Sequence, residues 1–196
     1  MPRLRTPKAR QVIAKPEEFQ RLLANAQPWM RLFLLLTGQL GLRFAEACAI
    51  SPASFNADKH TITFKKKGGD DFVLPTTPEI EQCFAIAPEA TDANTPYLQL
   101  LRGEVGLKGD RIGKVTIRQA FYRLREAAGV NPNLRPHDLR RTVAVSLYEL
   151  TRDIRVVGQI LGHSNLNTTA KYLEYRDVGK LRELINSLPL PTEVKQ

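Results

Sequence analysis

Two arginines of this 196-residue chain, Arg43 and Arg140, belong to segments that could form an anion site. A guanidinium group offers a planar fork of donors to two phosphate oxygens and keeps its proton, so two arginines on separate elements can clamp one phosphate. Fixed cationic donors of this kind stabilise the charged transition state of phosphodiester opening. In isolation, Arg43 is more simply explained as a surface arginine in an ordinary ion pair.

Histidines accompany these arginines in the sequence. His137 lies three residues before Arg140, which places both on one face of a helix that starts just after Pro136. His163 follows the segment that ends in Leu161 and Gly162, whereas the remaining histidine, His60, has no such companion. Each histidine taken alone is more simply a structural or surface residue.

Three consecutive lysines and two tyrosines complete the set of residues with useful chemistry. Lys65, Lys66 and Lys67 lie between two predicted strands, where a lysine on a flexible hairpin can act as a general acid. The same three lysines could equally contact a phosphate backbone. Tyr172 and Tyr175 are rival nucleophiles, because a tyrosine forms a covalent bond that preserves the energy of a broken phosphodiester without ATP. Neither role is fixed by residue type alone.

The elements that must position these residues are predicted to be mainly helical with a small antiparallel sheet, an α+β fold. Apolar residues at helical spacing and strands alternating around a glycine-containing turn are the evidence for this class. The predicted helices open at Pro16 and near Trp29, and then cover Arg43–Ile50, Glu79–Ile86, Ile117–Ala128, His137–Leu150, Ile154–Leu161, Asn167–Tyr175 and Val178–Leu188. The predicted strands are Thr61–Phe64 and Asp71–Pro75, while Tyr122 and Tyr148 are expected to be packing residues.

The amino-acid composition indicates which class of binding partner to expect for this chain. Hydrophobic residues make up 42% and charged residues 25%, as in an ordinary globular domain. Lysine and arginine total 29 against 20 acidic residues, a net charge of +9, which favours nucleic acid as a partner because binding releases condensed counterions. No basic amphipathic helix, membrane-spanning segment or signal peptide is visible, so a cytoplasmic protein without a membrane partner is expected.

Neither a cofactor nor a metal ion is expected from the sequence. Cys48 and Cys83 form neither a disulfide framework nor a zinc-binding spacing, and no HExxH motif occurs. Asp138 and Asp153, the aspartates nearest the segments above, are not arranged as the paired carboxylates of a two-metal nuclease.

Taken together, these segments closely resemble the catalytic domain of tyrosine recombinases, the phage integrase family. The resemblance extends from about Pro16 to Arg176 and keeps the family's order and approximate spacing. It implies that Tyr172 is the nucleophile, that His137 and His163 assist proton transfer and hold the phosphate, and that an acidic residue, Glu46, keeps Arg43 in place. The positions matching the family's catalytic residues are Arg43, Lys67, His137, Arg140, His163 and Tyr172. Lys67 is chosen because it lies eight residues before Pro75, with Lys65 and Lys66 as alternatives.

The resemblance implies a site-specific recombinase that cleaves and rejoins DNA through a 3′-phosphotyrosine intermediate, without metal or ATP. Integration, excision, resolution and inversion all remain open as its biological setting. The implied partner is double-stranded DNA, bound by a homotetramer at paired sites, with a monomer as an alternative without DNA. Two other functions compete: a relaxing topoisomerase of the same chemistry, and a DNA-binding regulator or accessory protein on the same fold.

Three segments are expected along the chain. Residues 1–15 form a basic arm, residues 16–177 form the catalytic domain, and residues 178–196 form a C-terminal helix and tail. In most family members a helical core-binding domain precedes the catalytic domain. This sequence shows no such domain, so it corresponds either to a catalytic part alone or to the short family members that function without it. The family's C-terminal helix docks on a neighbouring subunit, but the leucine stripe of residues 178–188 fits packing on its own domain equally well.

Overall fold

A computed structural model describes residues 12–66, 69–103 and 113–162, without the side chain of Lys114. Three expected site residues, Lys67, His163 and Tyr172, lie outside these ranges. The same is true of most of the basic arm and of the two helices expected after Gly162.

The described chain is mainly helical and carries a small antiparallel sheet, which confirms the predicted fold class. Its helices are α1 (Pro16–Asn25), α2 (Pro28–Gly38), α3 (Phe44–Ala47), α4 (Pro78–Ala85), α5 (Tyr97–Arg102), α6 (Lys114–Ala127), α7 (Pro136–Thr151) and α8 (Ile154–Leu161). Its strands are β1 (Phe55–Asn56), β2 (Thr61–Lys65) and β3 (Asp71–Pro75). Within the described ranges, no helix is long and apolar enough to cross a membrane.

Helix α2 lies at the centre of the fold. Its sequence is apolar on nearly every face, as expected for a helix surrounded by protein, and Leu32, Phe33 and Leu34 are fully buried. Helices α1, α4, α5 and α7 pack around it. Burying each such side chain stabilises the fold by about 1.5–3 kcal/mol. The core therefore fixes α7, which carries two expected site residues, relative to the segment after α2.

The sheet has the strand order β1-β2-β3, and both pairs are antiparallel. Ile62 and Phe64 point into the core while Thr63 and Lys65 face outward, which is the alternation that predicted the hairpin. Strand β1 was not predicted because two residues are too few to show alternation. Pairing of Lys65 with Asp71 places the turn of the hairpin immediately after Lys65.

The helices differ from the predicted ones at three places. The helix expected over Arg43–Ile50 is only the four-residue α3, because Arg43 has extended backbone angles and the Ile50 carbonyl accepts a hydrogen bond from Tyr97 N–H. Helix α5 was not predicted. Helix α6 begins at Lys114, three residues before the expected start at Ile117.

Helices α7 and α8 form a corner next to the main core. The Asp138 carboxylate accepts a hydrogen bond from Arg135 N–H at 2.8 Å, which satisfies a donor at the start of α7. The Asp153 carboxylate likewise accepts a hydrogen bond from Arg155 N–H at the start of α8. A separate apolar cluster joins the two helices, and Tyr148 packs against it as predicted. Helix α8 ends at Gly162, whose φ of +64° suits glycine.

Candidate active site

Arg43 is positioned by Glu46 at the start of α3. Glu46 accepts a hydrogen bond from the Arg43 backbone N–H at 2.7 Å and another from Arg43 Nη1 at 2.8 Å. The carboxylate is therefore fixed at two points, and its side chain is only 7% exposed. The Arg43 side chain is 35% exposed, so its guanidinium can still reach a ligand. The expected contact between Glu46 and Arg43 is present.

Arg140 is buried at the junction of three segments. Its side chain is 2% exposed, and its Nη1 donates a hydrogen bond to the Gly41 carbonyl. Its Nη2 donates to the Leu161 carbonyl at 2.7 Å, at the end of α8. Glu46 Oε2 lies 3.8 Å from Arg140 Nη1, so one carboxylate balances both arginines. Burying a guanidinium is tolerable only with such partners.

Replacing Glu46 with Gln is expected to destabilise the protein by about 2–4 kcal/mol, because two guanidinium groups lose their shared counter-charge while one stays buried. Urea unfolding monitored by circular dichroism measures the change. Glu126→Gln, on the exposed face of α6, is the matched control and is expected to change stability by less than about 0.5 kcal/mol. Equal stabilities for the two variants would contradict the bridging role of Glu46.

His137 lies one helical turn before Arg140, as the spacing predicted. Its ring is exposed at the protein surface, yet surrounding protein atoms partly desolvate it and lower its pKa below the ordinary 6.5. The charges of Arg140 and Arg43 lower the pKa further, and Asp138 opposes them. The imidazole is therefore neutral at pH 7, the form that accepts a proton.

An NMR titration of the imidazole nitrogens tests this environment. His137 is expected to protonate with a midpoint below 6.5, and Arg43→Gln is expected to raise that midpoint because one repelling charge is removed. Since folding lowers the pKa, the contribution of His137 to stability decreases as the pH falls through the unfolded value of 6.5. A midpoint at or above 6.5 would contradict the described surroundings of the ring.

Lys66 is the described lysine that approaches the arginines. Its Nζ lies 3.0 Å from the centroid of the Phe72 ring, a cation–π contact. Its side chain also fills the space that a Cβ atom at Gly162 would need. Burial lowers the pKa of Lys66, as do the charges of Arg43 and Arg140. The side chain therefore lies in the electrostatic field of the arginine pair.

Lys65 points away from this group. Its side chain is 75% exposed, and its Nζ lies 3.6 Å from the Asp71 carboxylate on the neighbouring strand. The period of two along β2 explains the difference, since residues 63 and 65 share the outward face. Arg43, His137 and Arg140 are thus brought together with Lys66, while Lys67, His163 and Tyr172 lie outside the described residues.

A cavity of about 590 Å³ opens beside Arg43 and His137. The described residues that line it are cationic or uncharged, and none of them is acidic. The lining residues are Arg43, Phe44, Ala45, Arg118, Tyr122, Arg135, Pro136 and His137. Sequence reasoning missed Arg118 and Arg135, and took Tyr122 only as a packing residue, although it both packs against the core and lines the cavity. The four-residue spacing of Arg118 and Tyr122, which puts both on one face of α6, was the available signal.

The arrangement can bind an oxyanion and move protons around it. Two guanidinium groups, one ammonium group and one neutral imidazole come from the residue before α3, from α7 and from the hairpin. Such preorganised donors match the charge that develops on phosphate oxygens during phosphoryl transfer. Among the described residues, no group of three or more His, Cys, Asp or Glu side chains is placed to hold a metal ion.

The same fold occurs in solved tyrosine recombinases. The crystal structure of XerA recombinase matches with a TM-score of 0.73 at 23% identity, over 94% of this chain and 66% of that one. The catalytic domain of bacteriophage HP1 integrase matches with a TM-score of 0.61 at 19% identity, over 95% of this chain and all of that one. The architecture is therefore that of a tyrosine recombinase catalytic domain.

Sequence comparisons identify the family of this chain independently of the fold. The phage integrase family model matches residues 13–177, so this chain belongs to the phage integrase family. Tyrosine recombinase XerC of Agrobacterium fabrum is 27% identical over 94% of this chain, and tyrosine recombinase XerA of Thermococcus kodakarensis is 32% identical over 87%. The aligned part covers 61% of each of these relatives, about three fifths of their length. The family expected from the motifs is confirmed.

Proposed function

We propose that this chain is the catalytic part of a site-specific recombinase that cleaves and rejoins DNA through a covalent 3′-phosphotyrosine intermediate. The observation that carries the proposal is the meeting of Arg43 and Arg140 across one Glu46 carboxylate, beside His137 and Lys66. The relatives named above are tyrosine recombinases, and a similar solved structure is XerH site-specific recombinase bound to its difH substrate. The net charge of +9 also favours DNA as the partner.

In the proposed reaction, Arg43 and Arg140 hold the non-bridging oxygens of the scissile phosphate. The Tyr172 hydroxyl oxygen attacks phosphorus, its proton passes to a neutral imidazole, and the bond from phosphorus to the 5′ oxygen breaks. The 5′ oxygen takes its proton from a lysine, and the 3′ phosphate remains on Tyr172. Attack by a 5′ hydroxyl on this phosphotyrosine reverses the sequence, so neither ATP nor a cofactor is consumed.

We assign the general-acid role to Lys66, next to the position that the resemblance gave to Lys67. Its pKa is lowered, chiefly by burial and further by the charges of Arg43 and Arg140, which makes the ammonium a stronger acid. Gly162 contributes by leaving room for the lysine side chain. The described part of the hairpin therefore supports Lys66 and turns Lys65 toward solvent.

Lys66→Ala is expected to slow DNA cleavage by about 10²- to 10⁴-fold, the usual contribution of a general acid. A substrate with sulfur in place of the bridging 5′ oxygen is expected to restore the rate, because a thiolate leaves without protonation. Single-turnover cleavage of both substrates is the measurement, with Lys65→Ala as the matched control. A rescued defect in Lys67→Ala together with normal cleavage by Lys66→Ala would move the role to Lys67.

We further propose that the recombining species is a homotetramer on two DNA duplexes. Exchanging two duplexes requires four strand cleavages, and each active site has one tyrosine nucleophile. Mass photometry on paired target sites is expected to show four chains per two duplexes. Relaxation of supercoiled plasmid by isolated monomers, without exchange between duplexes, would instead support the topoisomerase reading.

The function itself is tested with nicked duplexes that carry randomised sites and release the 5′ fragment after cleavage. Incubation in EDTA followed by SDS denaturation is expected to leave a protein–DNA adduct that protease removes. Sequencing the trapped DNA locates the scissile phosphate and the target sequence. Salt-sensitive DNA binding with no adduct from any site would favour the binding-only alternative.

A further inference from the structure

The cavity beside the arginine pair is larger than the binding of one phosphate requires. We propose that Arg118, Arg135 and Tyr122 form a second phosphate site, which holds the phosphodiester next to the scissile one on the same DNA strand. This inference rests on the proposed function, because that function places the scissile phosphate at Arg43, which also lines this cavity. It adds three residues that none of the recombinase motifs includes.

The size of the cavity fits more than one phosphate group. Its volume of about 590 Å³ lies within the range of about 300–1,000 Å³ that is usual for ligand sites. Arg43 and His137 contribute to its wall, so a strand bound at the catalytic arginine adjoins this space. The rest of the cationic wall comes from α6 and from Arg135, the residue immediately before α7.

The charge of the wall favours an anion. Three guanidinium groups share the cavity, and none of the lining residues that the structure describes is acidic. Within the described ranges, neither Arg118 nor Arg135 has a side-chain hydrogen bond or an ion pair to another residue. The nearby Asp138 carboxylate accepts a hydrogen bond from the Arg135 backbone N–H. The like charges around the cavity repel each other. A bound phosphate, which can accept two hydrogen bonds from each guanidinium, removes that repulsion.

Tyr122 is held in a defined position in this wall. The Arg125 guanidinium lies 4.9 Å from the centre of the Tyr122 ring and donates a hydrogen bond to the Leu134 carbonyl at 2.8 Å. These contacts link α6 to the residue just before Arg135. The Tyr122 hydroxyl is a donor that can add a third hydrogen bond to a phosphate between the two arginines. A linked pair of elements offers a preorganised site, which lowers the ordering cost of binding.

The test uses two small probes that differ by one phosphate, thymidine 5′-monophosphate and thymidine 3′,5′-bisphosphate. The full chain is expected to bind the bisphosphate about tenfold more tightly, since two phosphates one nucleotide apart occupy both sites. In the double variant with Arg118→Gln and Arg135→Gln, this preference is expected to disappear while the monophosphate still binds. NMR shifts of the His137 imidazole report binding of both probes near the catalytic arginine.

Arg123→Gln is the matched control, because Arg123 is on the same helix but lines a different cavity, next to Trp29. Its preference for the bisphosphate is expected to stay at the wild-type value. Equal affinity of the wild-type chain for both probes, a preference that survives in the double variant, or an equal loss in Arg123→Gln would each overturn the second site. The EDTA adduct assay, run in parallel, separates the two proposals. An adduct from a chain that shows no preference for the bisphosphate rejects only the second site. A preference for the bisphosphate without any adduct rejects only the recombinase function.

Discussion

Tyr172→Phe is expected to abolish the covalent protein–DNA adduct in EDTA, lowering its yield by about 10⁴-fold or more, as removal of a catalytic nucleophile does. The variant loses one hydroxyl group and keeps every cation of the site, so its DNA affinity is expected to stay within about threefold of wild type. Quantitative gel analysis of adducts on nicked duplexes and fluorescence anisotropy measure the two quantities separately. Because the chelator is present throughout, the same experiment tests the expected independence from metal ions.

Tyr175→Phe is the matched control for this result. Tyr175 lies three residues further along the chain, and the variant is expected to form the adduct at the wild-type rate. An adduct that persists in Tyr172→Phe and disappears in Tyr175→Phe would transfer the nucleophile to Tyr175. An adduct that survives in both single variants would exclude each tyrosine as the sole nucleophile.

The second prediction compares substitutions of the buried Arg140 and of the partly exposed Arg43. Arg140→Gln is expected to lower the free energy of unfolding by about 3–5 kcal/mol, because its buried partners Gly41, Leu161 and Glu46 lose their cationic donor. Arg43→Gln is expected to cost less than about 1 kcal/mol, since a side chain that is 35% exposed keeps access to water. Both variants are expected to lose at least about 10²-fold in cleavage rate, the effect of removing one donor to a developing oxyanion.

Urea unfolding and single-turnover cleavage, measured on the same preparations, check this separation. Arg43→Lys and Arg140→Lys keep the positive charge and remove the forked geometry, so they show how much of each effect comes from charge alone. The expected pattern is a stable, inactive Arg43→Lys and an unstable, inactive Arg140→Lys. Equal loss of stability at the two positions would contradict the described burial of Arg140.

Sequence periodicity alone was sufficient to predict an element where one physical effect dominated its formation. The apolar run of α2, the proline that opens α7 and the alternation around the hairpin each identified an element with bounds within a few residues. The same patterns failed for α3, because the Glu46 side chain bonds the Arg43 N–H where the helix starts and the Ile50 carbonyl bonds Tyr97 N–H after it. Such contacts join distant or capping residues, and they leave no periodic signal.

The candidate site was partly predictable for a similar reason. Arg43, His137 and Arg140 were found from residue type and spacing, and the expected carboxylate, Glu46, proved to contact both arginines. The difference between Lys65 and Lys66 depended on the outward position of Lys65 on β2 and on the space that Gly162 leaves for Lys66, and neither is visible in the spacing of the sequence. Arg118 and Arg135 were missed because they are 17 residues apart in the sequence and share a cavity only in the folded chain.

The position of Arg140 between the Gly41 and Leu161 carbonyls has a consequence for reading related sequences. A relative that has lost its catalytic tyrosine and only binds DNA would still need this arginine to close the corner between α7 and α8. Selection for folding alone would retain it, whereas an exposed arginine at the position of Arg43 would be free to drift. The residue at position 43 is therefore the better sequence marker of an active enzyme, because conservation at position 140 follows from folding as well as from catalysis.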